Sequence, residues 1–123
     1  MGHVRLVVLV VEDEPLLRLL AVDMVEEAGF EALEADGSGE AIRILERRLD
    51  IRLVFTDIDM PGGIDGLVLA AMIRDRWPRI AIIVTSGKNP PLAGQIPVGG
   101  LFFAKPYRPE EVTAAMRRMT LRP

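Results

Sequence analysis

The sequence predicts an α/β protein in which a parallel five-stranded sheet is covered by helices on both faces. Four short apolar segments lack polar alternation, which is typical of strands buried on both faces of a parallel sheet. These segments are residues 4–11, 53–56, 80–85 and 101–104. A fifth segment, residues 30–35, alternates more and carries two glutamates, which suits an edge strand. Helical patterns lie between most of these strands, and such alternation implies right-handed crossovers in a doubly wound sheet.

Four helices are predicted from their start and stop residues. The first begins at Pro15, because proline is favoured in a first helical turn, and Gly29 is a natural stop. The second begins at Ser38, an N-cap candidate, and the third covers residues 66–77. The last begins at Pro109, which is followed by two glutamates near the positive end of the helix dipole. The predicted apolar stripe of the first helix is Leu16, Leu17, Leu20, Met24 and Ala28.

The segment between the fourth and fifth strands, residues 89–97, does not follow a helical pattern. It has prolines at positions 90, 91 and 97 and a glycine at position 94. Proline inside a helix removes a backbone hydrogen bond and clashes with the preceding turn. We therefore predict that the fourth helix of this alternating series is short, degenerate or mobile.

Length, charge and composition exclude several classes of protein. The 123 residues suit one compact domain, and a net charge of −3 gives no electrostatic case for binding nucleic acid or an anionic membrane. The absence of cysteine excludes disulfides and thiolate metal sites. The longest aliphatic run, residues 6–11, is too short to cross a bilayer. We expect residues 1–123 to form a single cytoplasmic domain with no output domain.

Side chains with chemical potential follow four of the predicted strands. The first strand ends in Glu12 and Asp13, the third ends in Asp57, the fourth ends in Ser86 and the fifth ends in Lys105. Ligands of open α/β sheets bind outside these carboxyl ends, where the strand order reverses. An acid that directly follows a buried strand is costly unless it is used or paired. We therefore expect three carboxylates, a hydroxyl and an ammonium group to converge in one crevice.

These residue types fit phosphoryl transfer to a carboxylate. Clustered carboxylates repel one another, and an oxygen-only ligand set favours Mg²⁺ or Mn²⁺ over zinc. Such a cation would shield an incoming phosphoryl group from Asp57, while Lys105 and Ser86 hold the remaining phosphoryl oxygens. The sequence therefore predicts a phosphoryl acceptor at Asp57, served by a magnesium-binding pair, Glu12 and Asp13.

Four segments resemble the receiver domains of two-component response regulators in order and in approximate spacing. These segments read VLVVEDEPLLR, VFTDIDMPGGIDGLVLA, IAIIVTSG and FFAKPY, and the resemblance covers essentially the whole chain. It implies a flavodoxin-like fold with strand order 2-1-3-4-5. It also implies a phosphoacceptor in a phosphorelay. Such a protein is not an enzyme beyond self-catalysed phosphoryl acceptance and slow autodephosphorylation.

The resemblance assigns the metal and acceptor roles position by position. Asp57 resembles the phosphorylated aspartate, and Asp13 resembles the direct Mg²⁺ ligand, with Glu12 binding the ion directly or through water. Asp59 lies where a backbone carbonyl of the family completes the metal site.

The resemblance also assigns the switch. Ser86 resembles the hydroxyl that moves to the phosphoryl group, and Phe102 takes the place of the aromatic residue that then turns inward. Lys105 resembles the phosphate-binding lysine, and its peptide bond to Pro106 is expected to be cis.

Partners are implied by the same family. The phosphodonor would be a sensor histidine kinase or a histidine phosphotransfer protein. The output would act on a downstream protein through the face around the fifth strand and the last helix. A weak homodimer is also among the predicted partners, whereas direct contacts with nucleic acid or a membrane are not. Both a stand-alone regulator and a segment of a hybrid kinase are compatible with this pattern.

Two departures from the family pattern affect these predictions. Ser86 and Lys105 are only 19 positions apart, a few fewer than usual, and this is the stretch with the degenerate helix. The loop at residues 62–66 is one glycine longer than the commonest form and resembles a version found in hybrid kinases and related single-domain regulators. We also hypothesise that an ion pair between Asp59 and Lys88 covers the phosphoryl group and slows its hydrolysis.

Three other functions compete with the receiver. In a phosphatase of the haloacid dehalogenase type, Asp57 would be the nucleophile and Asp59 the general acid. That family places its motif on the first strand and needs a later acidic pair, but the only late pair, Glu110–Glu111, opens a helix. Residues 37–39 give a weak nucleotide-binding match that lacks its third glycine. A degenerate receiver used only for docking is a third alternative, although the acceptor set is complete.

Overall fold

The fold of the chain is described by a computed structural model that covers residues 5–61, 64–88 and 90–121. Its elements in chain order are β1 (Val7–Val11), α1 (Pro15–Glu27), β2 (Glu31–Ala35), α2 (Ser38–Arg47), β3 (Ile51–Asp57), α3 (Gly66–Arg76), β4 (Ala81–Ser86), β5 (Leu101–Ala104) and α4 (Pro109–Thr120). All neighbouring strands are parallel, and the sheet order is β2-β1-β3-β4-β5. The predicted fold class and strand order are confirmed. None of the helices in the described ranges has the length and apolar character that a bilayer crossing requires.

The core has two layers, one on each face of the sheet. On one face, α2 and α3 cover alternate residues of the central strands, including Leu9 and Val54. On the other face, α1 and α4 cover the residues in between, including Val10 and Phe55. All five residues of β1 are buried, as expected for a strand with neighbours on both sides and helices on both faces. Burial on both faces leaves the carboxyl edge of the sheet as the place where polar side chains can gather.

The two edge strands differ from one another in how well the sequence predicted them. β2 lies at one edge, as its alternation suggested. β5 lies at the other edge; its first three residues are only partly buried and Ala104 is exposed, so the prediction that this strand is buried on both faces is wrong. The reason is that β5 has a strand neighbour on one side only, and that residues 90–100 form turns and irregular backbone instead of a covering helix.

The prediction of a degenerate fourth helix is confirmed for the described residues. Residues 90–100 contain no helix. Asn89, where the predicted irregular segment begins, lies outside the described residues, and so do Gly62 and Gly63 of the lengthened loop. The next helix along the chain, α4, begins at Pro109 as predicted.

α1 packs on the sheet with a face that overlaps the predicted stripe only in part, because Met24 and Ala28 of the stripe pack against the core whereas its leucines do not. Its buried residues are Ala21, Val22 and Val25. In contrast, Leu16, Leu17 and Leu20 of the predicted stripe are 61%, 42% and 57% exposed. Alanine and valine allow the helix to approach the sheet closely, whereas Leu17 and Leu20 line a cavity at the carboxyl edge of the sheet. α1 therefore presents an exposed apolar surface beside the predicted site.

The first turn of α2 differs in one detail from its prediction. The N-cap position is Gly37 and not Ser38, because the Ser38 hydroxyl is directed elsewhere and donates to the Ile64 carbonyl oxygen at 2.6 Å. This bond ties α2 to the loop that leads into α3. α3 itself is capped by Asp65, whose carboxylate accepts from two backbone N–H groups of the first turn.

Candidate functional site

Strand register brings the predicted site residues to one edge of the sheet. β1 ends next to β3, with Val11 paired to Thr56, and Asp57 then pairs with Thr85 on β4. Ser86 is paired with Ala104, the last residue of β5. The residues that follow these positions must therefore emerge side by side, although they are far apart in sequence.

Three carboxylates form the centre of the site. Glu12, Asp13 and Asp57 each offer one carboxylate oxygen, and these oxygens all lie within 4.8 Å of one another. Glu12 and Asp57 are only 6% and 5% exposed, so their mutual repulsion is poorly screened by water. An all-oxygen set of clustered carboxylates is the chemistry that Mg²⁺ and Mn²⁺ favour. The residues present therefore fit the predicted cation.

Lys105 supplies the cation of the site. Its Nζ lies 3.3 Å from Glu12 Oε1 and 3.4 Å from Asp57 Oδ1. Burial alone would lower the pKa of Lys105, but the two neighbouring carboxylates outweigh burial and raise this pKa. Lys105 is therefore charged at neutral pH and lies against the Asp57 carboxylate, which is the position that its predicted role requires. The peptide bond between Lys105 and Pro106 is cis, as predicted.

Burial dominates the protonation of the two most enclosed carboxylates. It raises the pKa of Asp57, although the Lys105 charge and the Asp59 backbone N–H act in the opposite direction. Burial likewise raises the pKa of Glu12, and the negative charge of Asp57 adds to this increase. The site therefore carries unfavourable negative charge that a bound divalent cation would relieve.

The loop that carries Glu12 is held by an arginine that sequence reasoning missed. Arg18 Nη1 donates to the Glu12 carbonyl oxygen at 2.9 Å, and Arg18 Nε donates to Glu34 on β2 at 3.0 Å. The Glu12 carboxylate also accepts from the Glu14 backbone N–H at 3.2 Å. Arg18 lies one helical turn beyond Glu14, but no local pattern indicates that its side chain turns back to the loop.

Gly66 is a second residue that sequence reasoning left without a role. A Cβ atom built on Gly66 would overlap the carbonyl oxygen of Asp57 and lie 2.7 Å from Ile58 Cα. The Gly66 N–H donates to the Ile58 carbonyl oxygen at 3.0 Å. Only glycine allows the start of α3 to approach the acceptor backbone this closely. The Asp-Gly pair at residues 65–66 was the available signal.

Ser86 and Asp59 make a contact that differs from the hypothesis. Ser86 Oγ donates to Asp59 Oδ2 at 2.5 Å and accepts from the Lys88 backbone N–H at 3.0 Å. No ion pair joins Asp59 and Lys88, both of which lie in the described ranges. In this structure the Asp59 carboxylate accepts from Ser86 and the Lys88 side chain is exposed, and the role of the two residues in covering a phosphoryl group stays a prediction. The Asp59 N–H donates to Asp57 Oδ1 at 3.3 Å, and the metal-ligand role of its carbonyl stays a prediction.

Phe102 lies on β5, the strand beside the one that ends in Ser86. It pairs with Val84 on β4 and packs, partly buried, against the core layer under α2 and α3. This half-buried position at an edge strand is compatible with an aromatic side chain that changes orientation. The switch role of Phe102 stays a prediction.

An apolar cavity of about 440 Å³ adjoins the acceptor on the other side of the sheet. Leu17 and Leu20 of α1 form one wall, and Phe55 and Tyr107, whose rings meet edge to face at 5.7 Å, form another. Asp57 lies in the same lining. The cavity beside the Asp57 carboxylate is therefore largely apolar.

The phosphatase alternative lacks its second acidic pair at this site. Within the described part of the chain, the one cluster of potential metal-ligating side chains consists of Glu12, Asp13 and Asp57. Glu110 and Glu111 instead form the exposed first turn of α4. The cluster thus contains Glu12 and Asp13, the upstream pair for which the phosphatase alternative has no function.

The chain is similar to known proteins along most of its length. The profile of the response regulator receiver domain matches residues 8–117. The aerobic respiration control protein ArcA of Escherichia coli K12 is 30% identical over 118 residues, which make up 94% of this chain and 48% of ArcA. The CAI-1 autoinducer sensor kinase/phosphatase CqsS of Vibrio cholerae is 31% identical over 86 residues, which make up 68% of this chain and 12% of CqsS. The chain spans about half the length of ArcA and less of CqsS.

A solved structure with this fold holds Mg²⁺ and BeF. The response regulator TrrA of Thermotoga maritima, crystallised in complex with Mg²⁺ and BeF, superposes on the chain with a TM-score of 0.81 at 26% sequence identity. The match covers 92% of this chain and 97% of TrrA.

Proposed function

Because the chain belongs to the response regulator receiver domain family, which is typical of two-component signalling, we propose that it accepts a phosphoryl group on Asp57 from a phosphohistidine donor. The observation that carries this proposal is the placement of Asp57 between Lys105 and the acidic pair. Its carboxylate is 3.4 Å from the Lys105 ammonium group and shares a 4.8 Å cluster with Glu12 and Asp13. Receiver domains are signalling domains, so the chemistry proposed is stoichiometric and not turnover of a substrate.

The reaction is a displacement at phosphorus. An oxygen of the Asp57 carboxylate forms a bond to phosphorus while the bond from phosphorus to the donor imidazole nitrogen breaks, and that nitrogen keeps the electron pair. Glu12, Asp13 and Asp57 would hold Mg²⁺, which when bound neutralises carboxylate and phosphoryl oxygens together. Lys105 remains charged beside Asp57 and takes one phosphoryl oxygen, because positioning and charge compensation supply most of the catalysis in such transfers.

The donor is proposed to dock on the exposed leucines of α1. A phosphohistidine must reach Asp57, so its carrier has to approach the carboxyl edge of the sheet, where Leu17 and Leu20 line a cavity together with Asp57. The exposed leucines of this helix form one apolar patch beside that cavity, and such patches mark protein-binding surfaces. The leucines of α1 that are at least 42% exposed are Leu16, Leu17, Leu19 and Leu20. A helical histidine phosphotransfer protein or kinase domain with a complementary apolar face is the proposed occupant.

Mass spectrometry of the intact protein tests the proposed function. The chain is incubated with acetyl phosphate and Mg²⁺, and one added phosphoryl group is expected. Labelling should be lost with EDTA and in Asp57→Asn, but retained in Asp23→Asn, which removes an exposed carboxylate of α1. Equal labelling of the wild type and Asp57→Asn would overturn the proposal.

A further inference from the structure

The hydroxyl group predicted to serve the phosphoryl group is already engaged in this structure. Ser86 Oγ donates to Asp59 Oδ2 at 2.5 Å, and Ser86 is only 1% exposed. The Lys88 backbone N–H donates to Ser86 Oγ at 3.0 Å and also helps to hold this hydroxyl in place. A serine hydroxyl has one proton to donate, and here that proton is directed at a carboxylate.

We propose that Asp59 is a positioning residue that holds Ser86 in the unphosphorylated state and thereby opposes binding of a phosphoryl group at Asp57. This inference rests on the proposed function and adds a regulatory element to the same site. The Ser86 proton can be donated to the Asp59 carboxylate or to a phosphoryl oxygen, but not to both at full strength. Phosphorylation must therefore exchange the acceptor of this bond, while the proton stays on Ser86.

The strength of the bond makes the exchange matter. A hydrogen bond to an ionised acceptor is shorter and about twice as strong as one between neutral groups. The phosphoryl group gains a charge-assisted bond from Ser86 only by removing one of the same class from Asp59. The net contribution of Ser86 to phosphoryl binding is consequently much smaller than the geometry of a free serine would give.

Asp59 also acts on Asp57 by charge, and the two effects need to be separated. Asp59 is two residues after Asp57 in the chain. Burial is the main cause of the raised pKa of Asp57, and the negative charge of Asp59 raises this pKa further. Removing the Asp59 charge therefore favours an incoming dianion even without Ser86. Asp59→Asn and Asp59→Ala both remove the charge, but only asparagine retains a carbonyl oxygen that can accept the Ser86 hydroxyl.

Calorimetric titration with beryllofluoride in the presence of Mg²⁺ tests the proposal. The proteins are the wild type, Asp59→Asn, Asp59→Ala, Ser86→Ala and the double variant Asp59→Ala/Ser86→Ala. In Asp59→Ala, beryllofluoride no longer has to displace the charge-assisted hydrogen bond between Ser86 and Asp59. We therefore expect its affinity to rise about tenfold or more. We expect a smaller gain in affinity for Asp59→Asn. The double variant should bind beryllofluoride less than about threefold more tightly than Ser86→Ala.

The controls distinguish this proposal from the proposed function. Asp75→Asn removes an exposed carboxylate of α3 and should leave the affinity unchanged. If the wild type binds no beryllofluoride, the proposed function fails. If the wild type binds it, and Asp59→Ala gives the same gain with Ser86 and with alanine at that position, Asp59 acts by charge alone and the positioning role is overturned. No gain in Asp59→Ala also overturns it.

Discussion

Gly66 shows how closely one residue can constrain the backbone of Asp57. Any side chain at this position would overlap the Asp57 carbonyl oxygen, so Gly66→Ala must displace the end of β3 or the start of α3. We expect Gly66→Ala to lower the free energy of unfolding by about 2 kcal/mol. Urea unfolding measures the change.

A second glycine provides the matched control. Gly39 lies inside α2, and a Cβ built on it meets nothing closer than Arg43 Nη1 at 3.7 Å. Gly39→Ala should therefore stabilise the protein by up to about 1 kcal/mol, because alanine is the better helix former. A Gly66→Ala protein as stable as Gly39→Ala would contradict the close approach described above.

The charged Asp57 carboxylate should lower the free energy of unfolding when no cation is present. Its pKa is raised by burial, so the folded state binds protons more tightly than the unfolded state. The free energy of unfolding therefore falls as pH rises from below the ordinary aspartate pKa to above the raised value in the fold. In EDTA at pH 7, Asp57→Asn is expected to raise this free energy by about 1 kcal/mol.

The pH dependence of that gain is its check. Urea midpoints of the wild type and Asp57→Asn should converge as the pH is lowered through the raised pKa of Asp57 in the fold towards the ordinary aspartate pKa, because the folded wild type then becomes protonated at Asp57. A gain that stayed constant over this range would show that burial of a charge is not its cause.

At the scale of elements, helix α1 marks the limit of sequence periodicity. Its sequence contains two apolar faces, one formed by Leu16, Leu17 and Leu20 and the other by Ala21, Val22 and Val25. Periodicity alone does not tell which of them packs on the sheet. The sheet selects the face with small side chains. In contrast, the prolines at 90, 91 and 97 correctly predicted the missing helix, because proline acts on the backbone whatever the packing.

The exposed face of α1 gives a prediction about the donor. The double variant Leu16→Ser/Leu20→Ser should reduce phosphoryl transfer from a histidine phosphotransfer protein about tenfold, because each leucine contributes about 1 kcal/mol or more of buried apolar contact. Labelling by acetyl phosphate, which needs no docking, should stay at the wild-type rate.

Leu49 is the control for this surface, since it is 94% exposed and lies at the amino end of β3, away from the acceptor. Leu49→Ser should leave both rates unchanged. A double variant that loses both rates equally, or neither, would remove α1 as the docking surface.

At the scale of the whole molecule, the parallel topology made the candidate site predictable. Strand ends could be located from apolar runs, and a parallel sheet with this order places them at one edge. The contact between Asp59 and Ser86, the last residue of β4, could not be predicted, because it depends on the path of the loop that follows β3. The same holds for Arg18, whose partners are a loop carbonyl and a residue of β2.

Cation binding should stabilise the whole domain. A ligand that binds only the folded state at one hundred times its dissociation constant adds about 2.7 kcal/mol to the free energy of unfolding. We expect Mg²⁺ to raise the thermal midpoint of the wild type and to have little effect on Asp13→Asn. An equal rise in both proteins would mean that the cation binds elsewhere.

Trapping of the phosphorylated residue tests the central claim most directly. After labelling with acetyl phosphate and Mg²⁺, borohydride reduces an aspartyl phosphate to homoserine, and tandem mass spectrometry locates the altered residue. We predict homoserine at position 57 and at no other aspartate. Modification at a different residue, or a phosphoryl group on Ser86 that resists borohydride, would contradict the assignment of Asp57 as the acceptor.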